Sequence, residues 1–365
     1  MFKLSNFSLQ KLDISYGIGL DISDSILRLV RLKKIGDKIN LEDCESVNVP
    51  NGYIVQGEIK EIDKVVSLIL DLTKKINPNL SPIEAVISLP ETKTFLKMIR
   101  IANASNVSKE KSTDSVKDET ILQYLPFTPE DIYIDYQIIA YELEYTGWLV
   151  AGCPRPIVDS YIKLAKVANI LPLALEVEAL AILESVMDKV QDSSSAILVI
   201  DLGTTRTGMI LYDYSSVQFT VSVSVSGLAL TKKISAELGI GYEEAEEVKL
   251  VCGFDSLKCQ GILRTIMLDN ATELIDNIKR TIYFYQKHFL HGRAVGKIIL
   301  TGGGASCLNL SNIIKDSLNI EVVLANPMLH IDGINKNIKF STKTDIALLS
   351  FTTAIGLAFI GLDKA

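Results

Sequence analysis

The chain has 365 residues, 48% of them hydrophobic and 22% charged, and its 44 acidic against 37 basic side chains give a formal net charge of −7. That length predicts two or three lobes with sizeable cores, and the composition excludes a disordered chain. With an acidic balance and no long Lys/Arg block, a nucleic-acid partner is excluded as well.

The first 15 residues, MFKLSNFSLQKLDIS, read as a tail without the continuous apolar stretch of a secretory signal. Residues 16–32, YGIGLDISDSILRLVRL, place two apolar runs around a short polar turn and predict a strand, a tight turn and a second strand. Helical spacing follows over 62–76. Between 84 and 151 the pattern becomes strand, polar link (103–118), helix, strand, strand, which predicts a small α+β subdomain inserted into the first half. Such insertions supply partner surfaces without disturbing a core. Trp148 is expected to pack inside it. Residues 157–168 return to helical spacing.

At 197–213, ILVIDLGTTRTGMILYD, the strand–turn–strand pattern recurs, so that Asp21 and Asp201 end equivalent strands of two similar units. The repeat predicts an α/β fold of two facing halves, with both aspartates meeting in the cleft between them. Helices are predicted over 228–238, 242–250 and 273–289, with the acidic run GYEEAEE as a solvated helix start. His288 and His291 have no nearby carboxylate or thiol to complete a metal site. ILTGGGA at 299–305 follows an apolar strand. Residues 346–362 carry no charge, but the dilution by Ser, Thr and Gly and the lack of basic flanks predict a buried helix instead of a membrane span. The five cysteines, at 44, 153, 252, 259 and 307, are odd in number and form no Cys-x-x-Cys pair. They read as reduced, mostly buried thiols of a cytosolic protein.

Paired aspartates can hold Mg²⁺ through its water shell, because a hard cation prefers carboxylate and water oxygens. After Asp201, Gly203 lets the backbone approach an anion, and Thr204, Thr205 and Thr207 offer hydroxyl donors. Gly302, Gly303 and Gly304 admit a flat ligand against bare backbone. A P-loop is excluded at motif level, and Gly17-x-Gly19 is followed by Ile22 where a dinucleotide fingerprint needs glycine.

Taken in order, these segments resemble the actin, Hsp70 and sugar-kinase superfamily, and within it the type IV pilus PilM family, with FtsA as a more distant relative. The likeness is carried by the two aspartate turns, ILTGGGA, LEVEALAILE (175–184) as a connecting helix, YLPFTPEDIYIDYQII, and NPMLHID followed by IALLSFTTAIGLAFIGL. It implies a duplicated actin-like (ribonuclease H-like) two-lobed fold: a tail at 1–15, a first lobe from 16–85 and 152–190, the insert at 86–151, and a second lobe at 191–365 with 228–295 as its helical subdomain. It implies ATP and Mg²⁺ as ligands, Asp21 and Asp201 as the metal and phosphate anchors, and Glu178 as the residue that orients the attacking water. Glu246 and Lys249, in an Ala-Glu-x-x-Lys pattern, are implied near ribose and adenine, and Gly227 near the phosphates.

The first phosphate loop departs from the family. It reads Asp21-Ile22-Ser23-Asp24-Ser25-Ile26, keeping Ser23 and Ser25 as its hydroxyl residues but losing the usual glycine. Asp24 is expected to bring a carboxylate near phosphate oxygens, with Arg28 compensating in part, so that ATP binds while hydrolysis is slow or absent. By resemblance, the insert helps to form a groove for the short cytoplasmic tail of a PilN-like inner-membrane protein. The expected role is a cytoplasmic scaffold, peripheral to the inner membrane through its partners, in contact with other pilus platform proteins and open to homo-oligomerisation. The alternatives are an FtsA-like filament on the membrane and a small-molecule kinase of the sugar-kinase type.

Overall fold

The computed structural model describes residues 14–76, 82–102, 123, 128–141, 144–188, 194–289, 291–338 and 344–364. Strands β1 (Ile14–Ile22), β2 (Ile26–Ile35) and β3 (Lys38–Asn48) form an antiparallel meander. A short hairpin, β4 (Ile54–Val55) and β5 (Glu58–Ile59), precedes helix α1 (Ile62–Ile76), and β6 (Ile83–Leu89) returns parallel to β1. Next come β7 (Phe95–Ala102), β8 (Ile132–Tyr141) and β9 (Tyr145–Pro154) of the insert. Helix α2 (Arg155–Val167), β10 (Ile170–Val177), parallel to β6, and helix α3 (Glu178–Val186) complete the first half.

The second half repeats the plan. Its meander is β11 (Ala196–Leu202), β12 (Thr207–Asp213) and β13 (Ser216–Val223). Helices α4 (Gly227–Leu238), α5 (Tyr242–Cys252) and α6 (Ile262–His288) follow. Strand β14 (Val295–Thr301) lies parallel to β11, helix α7 (Leu310–Leu318) leads to β15 (Glu321–Leu324), parallel to β14, and β16 (Gly333–Ile334) joins β3. The chain closes with α8 (Thr344–Leu349) and α9 (Thr352–Lys364). The two sheets run β10-β6-β1-β2-β3-β16 and β15-β14-β11-β12-β13-β7-β9-β8, so one five-strand order occurs twice. This is the expected actin-like duplication.

Local sequence explains the elements. In α1, Val65, Val66, Ile69, Leu72 and Ile76 are buried at helical spacing, while Asp63 in the first turn and Lys74 and Lys75 in the last complement the helix dipole. Strand alternation divides β1: Ile18, Leu20 and Ile22 enter the core shared with α1 and α2, and Gly17 and Gly19 face α9. A Cβ on Gly17 would lie 2.0 Å from the Ala358 carbonyl oxygen, and one on Gly19 2.2 Å from that of Ala354. The glycine pair that fails as a dinucleotide motif is therefore a seat for a helix.

That helix comes from the other end of the chain. α9 packs on β1 and β2 of the first lobe, with Ala354, Ile355 and Ala358 fully buried against Val30 and Leu32. Reciprocally, Ala179, Ile182, Leu183 and Val186 of α3 join the second lobe's core around β11. Each half thus lends its last helix to the other. The uncharged 346–362 segment is spent on this exchange, and among the described residues no helix is long and apolar enough to cross a membrane.

Three expectations change. The 175–184 stretch is helical only from Glu178, since Leu175–Val177 complete β10 against β6. The insert's strands do not stand apart, because β7 pairs with β13 and extends the second lobe's sheet. Trp148 is buried within it, edge-on to Tyr136 at 5.4 Å; the polar 103–118 link and the helix expected near it lie outside the described residues. Finally, Cys252 and Cys259 form a disulfide, leaving Cys44, Cys153 and Cys307 free. The left-handed backbone of Cys259 and Gln260 folds the chain back after α5 and brings the two Cα atoms to 6.0 Å, within disulfide reach.

Candidate functional site

Asp21 ends β1 on the face that carries Gly17 and Gly19, beside the start of α9. Its cross-strand partner is Arg28, whose Nη1 lies 3.4 Å from Asp21 Oδ2. Ser88 at the end of β6 donates to Asp21 Oδ1 (3.1 Å) and accepts from the Ile22 amide (2.8 Å). Asp201 ends β11 in the second lobe, opposite Gly208 of β12 and Thr301 of β14. Its carboxylate takes no hydrogen bond from any described residue. Gly302, at φ +79°, is what permits this position, since a Cβ there would meet Asp201 Oδ1 at 2.3 Å.

Two further carboxylates complete a cluster. Glu178, the first residue of α3, accepts the Glu91 amide on Oε1 at 3.3 Å. Glu91 follows β6, and its carboxylate rests on bare Gly208, where a Cβ would lie 2.6 Å from Oε2. Burial raises all four acids above the usual carboxylate range, and each except Asp21 is raised further by its neighbours' charge. Glu91 reaches about 8 and Asp201 about 6, while Arg206 and Arg28 respectively oppose the rise; Asp21 and Glu178 are also raised. Mutually repelling, desolvated carboxylates from both lobes, only one of them salt-bridged, are a site that gains by receiving a cation. Hard oxygen donors suit Mg²⁺. Among the described residues no three acidic, His or Cys groups form a cluster that could hold a metal ion by themselves.

Every residue expected at the ligand lines one cleft of about 770 Å³ between the lobes: Asp21, Ser23, Ser25 and Arg28 on one wall, Asp201, Gly203, Thr204, Thr205 and Thr207 on the other, with Glu178, Gly227, Glu246, Lys249, Gly302, Gly303 and Gly304 between and beyond them. Their hydrogen bonds divide them. The turn after Asp201 closes through Gly203 N–H to Arg206 C=O at 2.9 Å, and the amides of Gly227 and Leu228 clasp the carbonyls of Gly203 and Thr204. The positive end of α4 therefore fixes this loop. Thr207, however, donates its hydroxyl to Val225 C=O (2.8 Å), and Ser23 donates its hydroxyl to Ile26 C=O (2.8 Å). Both shape their loops, so Ser25, Thr204 and Thr205 remain as the hydroxyls toward the cleft.

Asp24 also lines this cleft. Its two carboxylate oxygens accept the amides of Gln56 and Gly57, each at 2.8 Å, across the β4–β5 turn where both residues have positive φ. These neutral donors fix where the carboxylate sits. Lys249 is not solvated: it is 6% exposed, and its Nζ reaches Glu246 Oε2 at 2.6 Å and Thr231 Oγ1 at 2.8 Å, while the Glu246 side chain is part-exposed. Leu230, Phe254, Leu274 and Leu308 also line the cleft.

Sequence reasoning missed Ser88, Glu91 and Arg206. Ser88 and Glu91 had a legible signal, because ligands of open α/β sheets sit beyond the carboxyl ends of parallel strands, where SLPE stands.

The raised acids predict a pH dependence. An acid whose pKa is higher folded than unfolded stabilises the fold while protonated, and that contribution is lost as pH rises through the folded value. Ligand-free stability should therefore fall by on the order of 3 kcal/mol between about pH 5 and pH 9. Urea unfolding across that range checks it, and Glu91→Gln should flatten the upper half of the decline.

The family described as Type IV pilus assembly protein PilM matches residues 19–361. Among solved structures, a PilM–PilN type IV pilus biogenesis complex aligns with a TM-score of 0.77 and 20% identity, covering 95% of this chain and 98% of that one. MreB5 of Spiroplasma citri bound to AMPPNP aligns at 0.50 and 13% identity over 93% and 94%. The cell division protein FtsA of Bacillus subtilis (strain 168) is 22% identical over 348 residues, 85% of this chain and 78% of FtsA. With its duplicated sheets, its two-sided acidic cleft and a family match over nearly its whole length, this chain belongs to the type IV pilus assembly protein PilM family.

Proposed function

We propose that the chain is a nucleotide-binding adaptor of a type IV pilus assembly platform, in which magnesium and ATP set the spacing of the lobes and thereby tune a surface for the N-terminal cytoplasmic tail of a PilN-like membrane protein. The observation that carries it is the convergence of Asp21, Glu91, Glu178 and Asp201 from both lobes on one cleft with a single salt bridge among them. The MreB5 structure with AMPPNP and the PilM–PilN complex support the two ligands.

In this reading Asp21 and Asp201 hold the hydrated ion, which neutralises phosphate charge. The amides and hydroxyls of the 203–205 loop and Ser25 take phosphate oxygens. Glu246 and Lys249 face the ribose, and the apolar side chains of the lining, Leu230, Phe254, Leu274 and Leu308, take the base. Glu178 is placed to orient a water. Burial and the neighbouring acids raise its pKa. Glu91 links the cleft to the insert: it lies between β6 of the first sheet and β7, which pairs with the second. A change in lobe spacing is thus felt where the insert begins.

Calorimetric titration of a PilN-like tail peptide into the full chain, with and without magnesium–ATP, tests this. The expected result is a peptide affinity that changes about 5- to 50-fold with nucleotide, a usual range for coupled sites. Equal affinities in both conditions would remove the gating, and no heat from nucleotide alone would remove the reading itself.

A further inference from the structure

Four cations line the cleft: Arg28, Arg206, Lys249 and Lys258. Arg28 is paired with Asp21, Lys249 with Glu246, and Lys258 donates to the Val251 carbonyl at 3.1 Å. Arg206 is different. Its guanidinium makes no hydrogen bond or ion pair with any described residue, and its Nη1 is sealed from solvent without a partner. A guanidinium donor removed from water and left unmatched is unfavourable unless some state of the protein supplies an acceptor.

The surroundings say which end of the cleft that acceptor occupies. Arg206 closes the turn of the second loop, its carbonyl held by the Gly203 amide, so the side chain leaves a fixed point beside Thr204 and Thr205. Its charge acts on Glu91, and the Glu91 amide is bonded to Glu178, the residue placed to orient water. Arg206 therefore stands in the part of the cleft that carries the acids. A planar, permanently charged fork suits phosphate oxygens better than any other side chain.

We propose that Arg206 binds the terminal phosphate and is the residue by which the cleft distinguishes ATP from ADP. The inference rests on the nucleotide reading above and goes beyond it by assigning the discrimination to one side chain. A diphosphate leaves the guanidinium unmatched, whereas a triphosphate satisfies it, so the preference for ATP comes from relieving a buried defect.

The test measures affinities of the full chain for magnesium–ADP and magnesium–AMPPNP by calorimetry, for the wild type, Arg206→Gln, Arg206→Lys and Glu91→Gln. Arg206→Gln should weaken AMPPNP by about 10- to 100-fold and change ADP by no more than about two-fold, the scale of small context effects. Arg206→Lys, which keeps the charge and loses the fork, should fall between, and it carries the test if the glutamine variant does not fold. Glu91→Gln, which removes the carboxylate on which the Arg206 charge acts, should leave the ratio of AMPPNP to ADP affinity within about two-fold of the wild type, whatever it does to both. Equal losses for both nucleotides in the Arg206 variants, or a ratio that shifts in Glu91→Gln as it does in them, would mean that Arg206 serves the Glu91 carboxylate, and the proposal would fall. A wild type that binds both nucleotides equally overturns it too. A wild type that binds neither overturns the nucleotide reading with it, so the two failures are distinguishable.

Discussion

Asp201→Asn is expected to make the ligand-free chain more stable and to abolish its stabilisation by magnesium and ATP. The carboxylate stands without a hydrogen-bond donor among the described residues, near other acids, and desolvation and the Asp21 charge push its pKa up to about 6. At neutral pH this disfavours the folded state by on the order of 2 kcal/mol. The amide keeps the shape that fits against Gly302 and removes the charge. Saturating ligand at about a hundred times its Kd would add roughly 2.7 kcal/mol to the wild type, and none of this should survive in the variant. Thermal unfolding with and without ligand gives both numbers. A purely structural Asp201 predicts the opposite first sign, because losing a satisfied buried carboxylate destabilises. A gain in stability paired with a loss of binding is what a site built to receive a cation should show.

The same residues show how far sequence reasoning reached. Asp21 and Arg28 were legible because a hairpin with a tight turn sets them opposite each other, and local pairing rules suffice. Asp201 was legible as the repeat of Asp21. What stayed hidden depended on contacts between distant segments. Nothing local announced that the amides of the β4–β5 turn would anchor Asp24. Glu91 carried no motif and became part of the site only when α3 delivered Glu178 to its amide. The hydroxyls of Thr207 and Ser23 matched the chemistry of phosphate loops, yet backbone carbonyls of their own loops claim them, a competition that residue type alone cannot rank. The extension of the second sheet by β7 was likewise invisible, since the insert's sequence position says nothing about which sheet edge it meets.

Gly356→Ala should be among the most damaging single-methyl changes in the chain. Gly356 lies where the two exchanged helices α9 and α3 cross, and a Cβ would stand 1.7 Å from the Ala181 carbonyl oxygen and 2.5 Å from its carbonyl carbon. Neither is the end of a flexible side chain, so the helices must move apart. Overpacking of this kind costs about 3 kcal/mol or more, against the small helix-propensity gain of alanine over glycine of up to ~1 kcal/mol. The unfolding midpoint should drop by roughly 5 °C or more. Gly241→Ser is the control, because a Cβ there meets nothing within 4 Å and serine is favoured at a helix N-cap; its midpoint should hold or rise. The damage should also reach the cleft. Ala181 lies one turn along α3 from Glu178, and a helix displaced at one residue carries the other with it, so nucleotide affinity should fall together with stability in Gly356→Ala. Loss of stability with unchanged affinity would mean that α3 absorbs the displacement before its first turn, and that the crossing of the exchanged helices holds the lobes together without setting the geometry of the site.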